Sequence, residues 1–297
     1  MLVLDSPRDG DIHSLADYAE LLCFCTADRI CSRETIADQL KDIGGQPIRA
    51  EKLDDCFVHL SWREAAFGDD YPFRLEDDRV LFVKDDLTDR QRLYGLLLLC
   101  ANLPYLKNTT GLTDCFERIS LCVLAVIWPS KGEVRPFGKN ETNYTGAKWE
   151  RINTLASEIG GVGLCNESTF RAGDSGDGGI DLVGWYQLDP NEVRNNLSIL
   201  AQCACSRSAW PNKQTEISHD RLSANFISPT HRWNQALFIP HCFRGSDGRW
   251  AVTGEIGQVV LIDRLRIITQ LPAVLDWQQI QIPALFEDFL EYRLPLV

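Results

Sequence analysis

Three oxygen-bearing side chains occupy positions from which they could together hold a metal ion. Asp181 follows the glycine-rich run 173–179 and opens an apolar segment that predicts a strand. Gln202 lies in the next apolar segment, and Glu150 lies on a predicted helix that precedes both. Carboxylate and amide oxygens are the ligands that hard divalent cations prefer. The spacing therefore indicates a candidate cation site at the ends of two strands.

The same residues resemble a known family pattern. Residues 176–181 read Gly-Asp-Gly-Gly-Ile-Asp, residues 202–204 read Gln-Cys-Ala, and Glu150 supplies a helical glutamate. On these motifs the segment Gly146–Leu271 resembles the restriction-endonuclease-like PD-(D/E)xK nuclease superfamily, in particular its Mrr-like branch. Nothing before Pro129 takes part in the resemblance.

The resemblance implies a nuclease domain that uses Mg²⁺ or Mn²⁺ to hydrolyse DNA, with a role in restriction, repair or defence against phage. It implies Asp181 as the principal metal ligand, with Gln202 and Glu150 as accessory ligands. A nearby lysine would orient the attacking water and share the charge that develops on the phosphate.

The sequence departs from the family pattern at that lysine, because position 204 is Ala204. Three explanations are open: the lysine was removed by engineering, the site is naturally inactive, or the lysine has moved to Lys213. We favour Lys213, because Trp210-Pro211 opens a predicted helix whose positive end would help to hold phosphate. A naturally inactive site would instead make the chain a catalytically silent nuclease-like subunit that serves as a binding or scaffold protein.

Each of these residues alone has a simpler interpretation. Glycine and aspartate dominate turns, so Asp174 and Asp177 are interpreted as turn formers. The joint order and spacing of the candidate residues favour the nuclease site. No glycine-rich phosphate loop ending in Lys-Ser/Thr occurs, and no Gly-x-Gly-x-x-Gly follows a strand. Nucleotide hydrolysis and dinucleotide redox chemistry therefore lose support.

The second half of the chain predicts an α/β domain with a mixed central sheet. The predicted helices are Lys148–Ile159, a helix opening at Trp210, Arg264–Leu271 and Pro283–Leu294; the predicted strands are Val162–Phe170, Ile180–Trp185, Leu197–Gln202, Ala236–Phe243 and Gln258–Ile262. Basic and aromatic residues interleave in this half and could line a nucleic-acid cleft: Arg207, Trp210, Lys213, Arg221, Arg232, Trp233 and Arg244.

The first half predicts helices and one hairpin. The predicted helices are Ser14–Cys25, Arg33–Ile43, Leu53–Phe67, Leu87–Leu103 and Thr113–Ile127, and the hairpin joins Tyr71–Leu75 to Val80–Lys84. Three helices followed by a hairpin is the order of a winged helix. The third helix is acidic and would be repelled by a duplex, so this half is interpreted as a regulatory or interaction module.

A linker is predicted at Pro129–Tyr144, where proline, glycine and polar residues lie between two periodic segments. The predicted domains are therefore a helical interaction domain, 1–135, and a nuclease domain, 136–297. A length of 297 residues agrees with two domains, and 44% hydrophobic residues suffice for a sizeable core.

The chain carries 42 acidic and 30 basic side chains, a net charge of −12, so any binding of nucleic acid must be local. Residues 1–135 hold −8 of that charge. We therefore expect a basic partner subunit, docked through the acidic N-terminal domain, or a homo-oligomer to help hold the duplex.

Cysteines and apolar runs predict the compartment. The eleven cysteines are odd in number, and Met1–Arg8 lacks the features of a secretory signal, which predicts reduced thiols in a cytoplasmic protein. The longest apolar runs, Leu93–Leu103 and Ile119–Trp128, are too short to span a bilayer, so no membrane association is expected.

Overall fold

The computed structural model describes residues 11–42, 48–138, 143–171 and 178–294. Within these ranges the chain forms eleven α-helices and ten β-strands, which confirms the predicted α/β class. The helices are α1 (Ile12–Cys25), α2 (Arg33–Asp42), α3 (Ala50–Phe67), α4 (Asp89–Ala101), α5 (Leu112–Ile127), α6 (Lys148–Glu158), α7 (Trp210–Lys213), α8 (His219–Asn225), α9 (Arg264–Gln270), α10 (Trp277–Ile280) and α11 (Ala284–Glu291). The strands are β1 (Ile30–Ser32), β2 (Phe73–Glu76), β3 (Val80–Val83), β4 (Glu133–Pro136), β5 (Val162–Gly163), β6 (Leu182–Tyr186), β7 (Leu197–Cys203), β8 (Ile227–Ser228), β9 (Asn234–Phe238) and β10 (Val260–Ile262).

The chain divides into two compact units, and each is discontinuous in sequence. Unit 1 consists of residues 1–115, 240–253 and 263–297, and unit 2 consists of residues 116–239 and 254–262. This division differs from the predicted domains 1–135 and 136–297. The physical reason is that α9 and α11 return to pack against α4 and α1, so the C-terminal helices complete the N-terminal core.

Unit 1 begins with helices α1 to α3 and a three-stranded antiparallel sheet in the order β1-β3-β2. The predicted hairpin is present, and Asp77 and Asp78 at its tip both have positive φ, as a tight hairpin turn requires. Strand β1 was not predicted, because three residues are too few to show alternation; it pairs Ile30 with Phe82.

Four charged side chains form a fully buried cluster in the core of unit 1. Arg63 on α3 and Arg264 on α9 both pair with Asp17 on α1, at 2.8 and 3.2 Å. Glu20, one turn further along α1, accepts hydrogen bonds from the hydroxyl groups of Tyr71 and Tyr94. Two carboxylates and two guanidinium groups balance in charge, which is the condition for burying them without a large penalty.

Unit 2 is built on a mixed five-stranded sheet in the order β10-β9-β7-β6-β4. Strands β10, β9 and β7 run parallel, whereas β7, β6 and β4 run antiparallel. The connection from β7 to β9 passes through α7 and α8. Part of the core formed around α6 and this sheet consists of Phe137, Ile152, Leu155, Ile180, Val183, Leu200, Ile217, Leu222 and Trp233.

Two predicted elements of unit 2 are wrong. The predicted linker Pro129–Tyr144 contains β4, which forms an edge of the sheet and tolerates Pro136 because that residue ends the strand. The predicted strand Val162–Phe170 shrinks to β5, which pairs with β8 in a separate two-stranded sheet. Strand β4, which follows α5 in the chain, therefore joins β6 and β7 as the third strand of the antiparallel part of the central sheet.

No helix among the described residues has both the length and the apolar character needed to cross a membrane. All eleven cysteines lie within the described ranges, and all are free thiols.

Candidate functional site

Asp181 and Gln202 lie at the same end of two neighbouring strands. Asp181 immediately precedes β6, and its N–H donates to the carbonyl of Ala201 on β7 at 3.0 Å. The amide of Cys203 in turn donates to Oδ2 of Asp181 at 2.7 Å. The Asp181 carboxylate is 7% exposed, and this bond holds it beside the end of β7, next to Gln202.

The side chain of Gln202 carries a buried acceptor that no described residue satisfies. Its side chain is 3% exposed, and Nε2 donates to Oε2 of Glu216 at 2.6 Å. Oε1 is buried, and no donor in the described parts of the chain reaches it. A buried polar atom without a partner costs roughly 1–3 kcal/mol, so Oε1 marks a place where a ligand would recover free energy.

Lys213 is joined to Gln202 through Glu216. It is the last residue of α7, which begins at Trp210-Pro211 as predicted. Its Nζ lies 3.0 Å from Oε1 and 3.2 Å from Oε2 of Glu216, the same Oε2 that accepts from Gln202. Glu216 was not among the site residues predicted from the sequence. It lies three residues after Lys213, which is a spacing at which helical neighbours interact.

Gly179, the last residue of the glycine-rich run, lies against the side chain of Glu216. Its φ is +86°, and a Cβ built there would lie 2.5 Å from Oε2 and 2.6 Å from Cβ of Glu216. Only glycine fits both this backbone conformation and this close approach. The segment that leads into Asp181 therefore packs directly on the carboxylate that holds Gln202 and Lys213.

Glu117 on α5 is a further carboxylate near Asp181. A Cβ built at Gly138 would lie 3.2 Å from Oε2 of Glu117, and the amide of Gly138 donates to the carbonyl of Asp181. Glu117 was not among the predicted site residues, because the apolar pattern of residues 113–127 indicated a helix that only packs in the core. Glu117, one of two carboxylates in residues 113–127, was the available signal.

Burial, above all, raises the pKa of the Cys203 thiol, and the charges of Asp181 and Glu117 raise it further. Both carboxylates therefore act on the same thiol at the end of β7. A thiol with a raised pKa stays protonated, so Cys203 is a poor nucleophile here.

Glu150 is not joined to this group. It lies exposed on the first turn of α6, where Oε2 accepts from the amide of Ala147 at 2.7 Å. Among the described residues, no hydrogen bond or ion pair connects it to Asp181, Gln202 or Lys213. A carboxylate that satisfies an amide at its own helix start has a structural role.

Ala204 is a small, buried residue next to the end of β7. It is 5% exposed, and its amide donates to the carbonyl of Phe238 on β9. Among the described residues, the ammonium of Lys213 is linked to Gln202 through the carboxylate of Glu216.

The predicted cleft of basic and aromatic residues includes two tryptophans that are not on the surface. Trp210 and Trp233 are buried core residues. Arg244 belongs to unit 1, where it pairs with the buried Asp263 at 2.8 Å. Of that set, Arg221 and Arg232 remain exposed in unit 2. Asp174 and Asp177 lie outside the described residues.

The donor chemistry of the site fits a hard divalent cation, because Asp181, Glu117 and Oε1 of Gln202 offer oxygen atoms. In the portion of the chain with described coordinates, no three His, Cys, Asp or Glu side chains are grouped so as to hold a metal by themselves.

Comparison with known proteins adds no assignment: no protein-family model, no curated protein and no solved structure matches this chain.

Proposed function

We propose that unit 2 is a restriction-endonuclease-like, metal-dependent nuclease domain that hydrolyses DNA phosphodiester bonds in restriction or anti-phage defence. The observation that carries the proposal is the buried Oε1 of Gln202, which no donor among the described residues reaches, on the residue that precedes the Cys203 amide bound to Asp181. The position of both residues at the ends of the neighbouring strands β6 and β7 supports the proposal.

Asp181 and Gln202, with Glu117 near them, would hold Mg²⁺ or Mn²⁺. When bound, such an ion makes water nucleophilic and neutralises charge on the phosphate. The buried Asp181 carboxylate is held in place by the Cys203 amide, so it needs no reorganisation before it binds. The ammonium of Lys213 lies one carboxylate away from Gln202 and would stabilise the charge that develops on the scissile phosphate.

Unit 1 would serve as the partner-docking module. Its order α1, β1, α2, α3, β2, β3 supports the winged-helix-like interpretation. Glu51, Asp54 and Asp55 are exposed on α3, so a duplex would be repelled from that helix. A basic protein surface is the partner that fits this charge.

The test is cleavage of supercoiled plasmid DNA and of RNA in Mg²⁺ or Mn²⁺. Asp181→Asn keeps an acceptor for the Cys203 amide but removes the charge, so it should abolish cleavage without a loss of thermal stability. Lys213→Ala should lower the rate about 10²-fold or more, as removal of a positioned charge stabiliser does. Lys131→Ala, an exposed lysine of the same unit, is the matched control. Equal cleavage by wild type and Asp181→Asn would refute the proposal.

A catalytically silent, nuclease-like subunit is the second candidate, and Ala204 favours it. The structure shows a small, buried residue at the position where the resemblance calls for lysine. If wild type cleaves in no buffer while Ala204→Lys cleaves, the chain is a disabled nuclease and Lys213 does not replace the missing lysine.

A further inference from the structure

We infer that Glu216 is the positioning residue of this site: its carboxylate fixes Gln202 with Oε1 towards the cation position and holds Lys213 beside it. The inference rests on the proposed function. It assigns a role to a residue that neither the sequence motifs nor the resemblance identified.

The hydrogen bond from Gln202 determines which way its amide points. Nε2 lies 2.6 Å from Oε2 of Glu216, and a carboxylate only accepts. With the amide reversed, Oε1 would face a carboxylate oxygen at that distance, and two acceptors repel each other. Glu216 therefore turns the carbonyl of Gln202 towards a position where no described residue donates to it.

Glu216 also fixes the ammonium group. Both of its oxygens lie within 3.2 Å of Nζ of Lys213, and Oε2 is shared between Lys213 and Gln202. A half-exposed lysine would otherwise sample many rotamers. One carboxylate therefore sets the separation between a neutral oxygen ligand and a positive charge.

The main chain around Glu216 is held on two sides. Nη1 of Arg221 donates to the carbonyl of Gly178 at 2.9 Å and also to the carbonyl of Glu216. Gly179 packs on the Glu216 side chain without a Cβ of its own. The segment entering Asp181 and the segment carrying Glu216 are thus tied together, which is the arrangement expected of a rigid support for metal ligands.

The experiment measures Mn²⁺ affinity by calorimetry for the full chain and for Glu216→Gln and Glu216→Ala. Glu216→Gln keeps an oxygen that can accept from Gln202, so its affinity should stay within about 3-fold of wild type. Glu216→Ala removes that acceptor and should weaken affinity about 10- to 100-fold, the range for lost supporting residues. Glu192→Ala, an exposed glutamate of unit 2, is the control.

A second readout needs no metal. In ¹⁵N spectra of the metal-free protein, the Gln202 side-chain amide should show a downfield proton in wild type and Glu216→Gln, and lose it in Glu216→Ala. Unchanged affinity in Glu216→Ala, or equal loss in both variants, would overturn the positioning role while the metal site stands. Wild type that binds no Mn²⁺ would refute the proposed function itself, and with it this role towards a cation.

Discussion

Oε1 of Gln202 and Oδ2 of Asp181 differ in hydrogen bonding, although both residues lie at the same end of the sheet. Oδ2 receives a backbone amide, whereas Oε1 receives no donor from the described chain. Because burial without a partner is costly, the carbonyl is a more specific sign of a ligand than the carboxylate. In the proposed site, Oε1 of Gln202 is thus the oxygen atom that the described residues leave for a ligand.

The position of Glu117 predicts that it, rather than Glu150, supports cation binding. Glu117→Gln should weaken Mn²⁺ affinity about 10-fold or more, because a charged oxygen near Asp181 is lost. Glu150→Gln should change affinity by less than about 3-fold, since its carboxylate serves the start of α6. Calorimetric titration of the two variants checks the prediction; the reverse order of affinities would return Glu150 to the site.

His59 predicts a pH dependence of unit 1. Burial lowers its pKa to about 2, and the charge of Arg63 adds to the effect, so the folded state keeps it neutral. The unfolded chain binds a proton near pH 6.5, so stability is lost as pH falls below that value. Between pH 7 and pH 5 the loss from His59 is about 2 kcal/mol.

Urea unfolding of wild type and His59→Gln at pH 7 and pH 5 tests this dependence. Glutamine can still accept from Nε of Arg63, which His59 does at 3.3 Å, but it does not titrate. The variant should therefore lose less stability on acidification than wild type. Identical losses in the two proteins would exclude His59 as the source.

At the scale of elements, sequence periodicity located most helices and strands, because each buries one face at a regular spacing. Strand β4 was not predicted, because Pro136 and the flanking glycines indicate a loop. It becomes a strand by pairing with β6, which is a long-range contact that the local sequence does not show. The length of the strand predicted at Val162–Phe170 was overestimated, because a loose alternation of apolar residues does not show how much of a segment will find a pairing partner. Asp181 and Gln202 could be found from sequence, whereas Glu216 and Glu117 reach the site only through the fold.

The turn before β6 predicts a sharp glycine effect. Gly179→Ala should destabilise the protein by about 1 kcal/mol or more through its positive φ, and it should also displace Glu216 and weaken Mn²⁺ binding. Gly254→Ala is the matched control, because a Cβ there meets nothing within 4 Å. Thermal unfolding and titration of both variants give the measurement. An alanine at 179 that leaves stability and affinity intact would show that the approach to Glu216 is not needed.

At the scale of the whole molecule, the return of the C-terminal helices to unit 1 could not be read from the sequence. The sequence around Arg264 does not indicate that this residue is buried. In the structure its guanidinium group pairs with the buried Asp17 and Glu20. Partners brought together by tertiary folding leave no periodic signal, which explains why a single boundary at residues 135/136 was predicted.

Fragment 1–135 tests this composition of unit 1. It lacks Arg264 and should fail to give a dispersed NMR spectrum, because removal of one partner from a buried ionic cluster costs about 3–5 kcal/mol. Arg264→Met in the full chain should lower stability by a similar amount, measured by urea unfolding. A well-folded fragment 1–135 would contradict the division into units described above.

The most direct measurement of the central claim is the anomalous scattering of Mn²⁺ in crystals of the full chain. We expect one strong peak at about 2.1–2.2 Å from an oxygen of Asp181 and from Oε1 of Gln202, and its loss in Asp181→Asn. Crystals of wild type that show no manganese there, or a peak that persists in Asp181→Asn, would contradict the account.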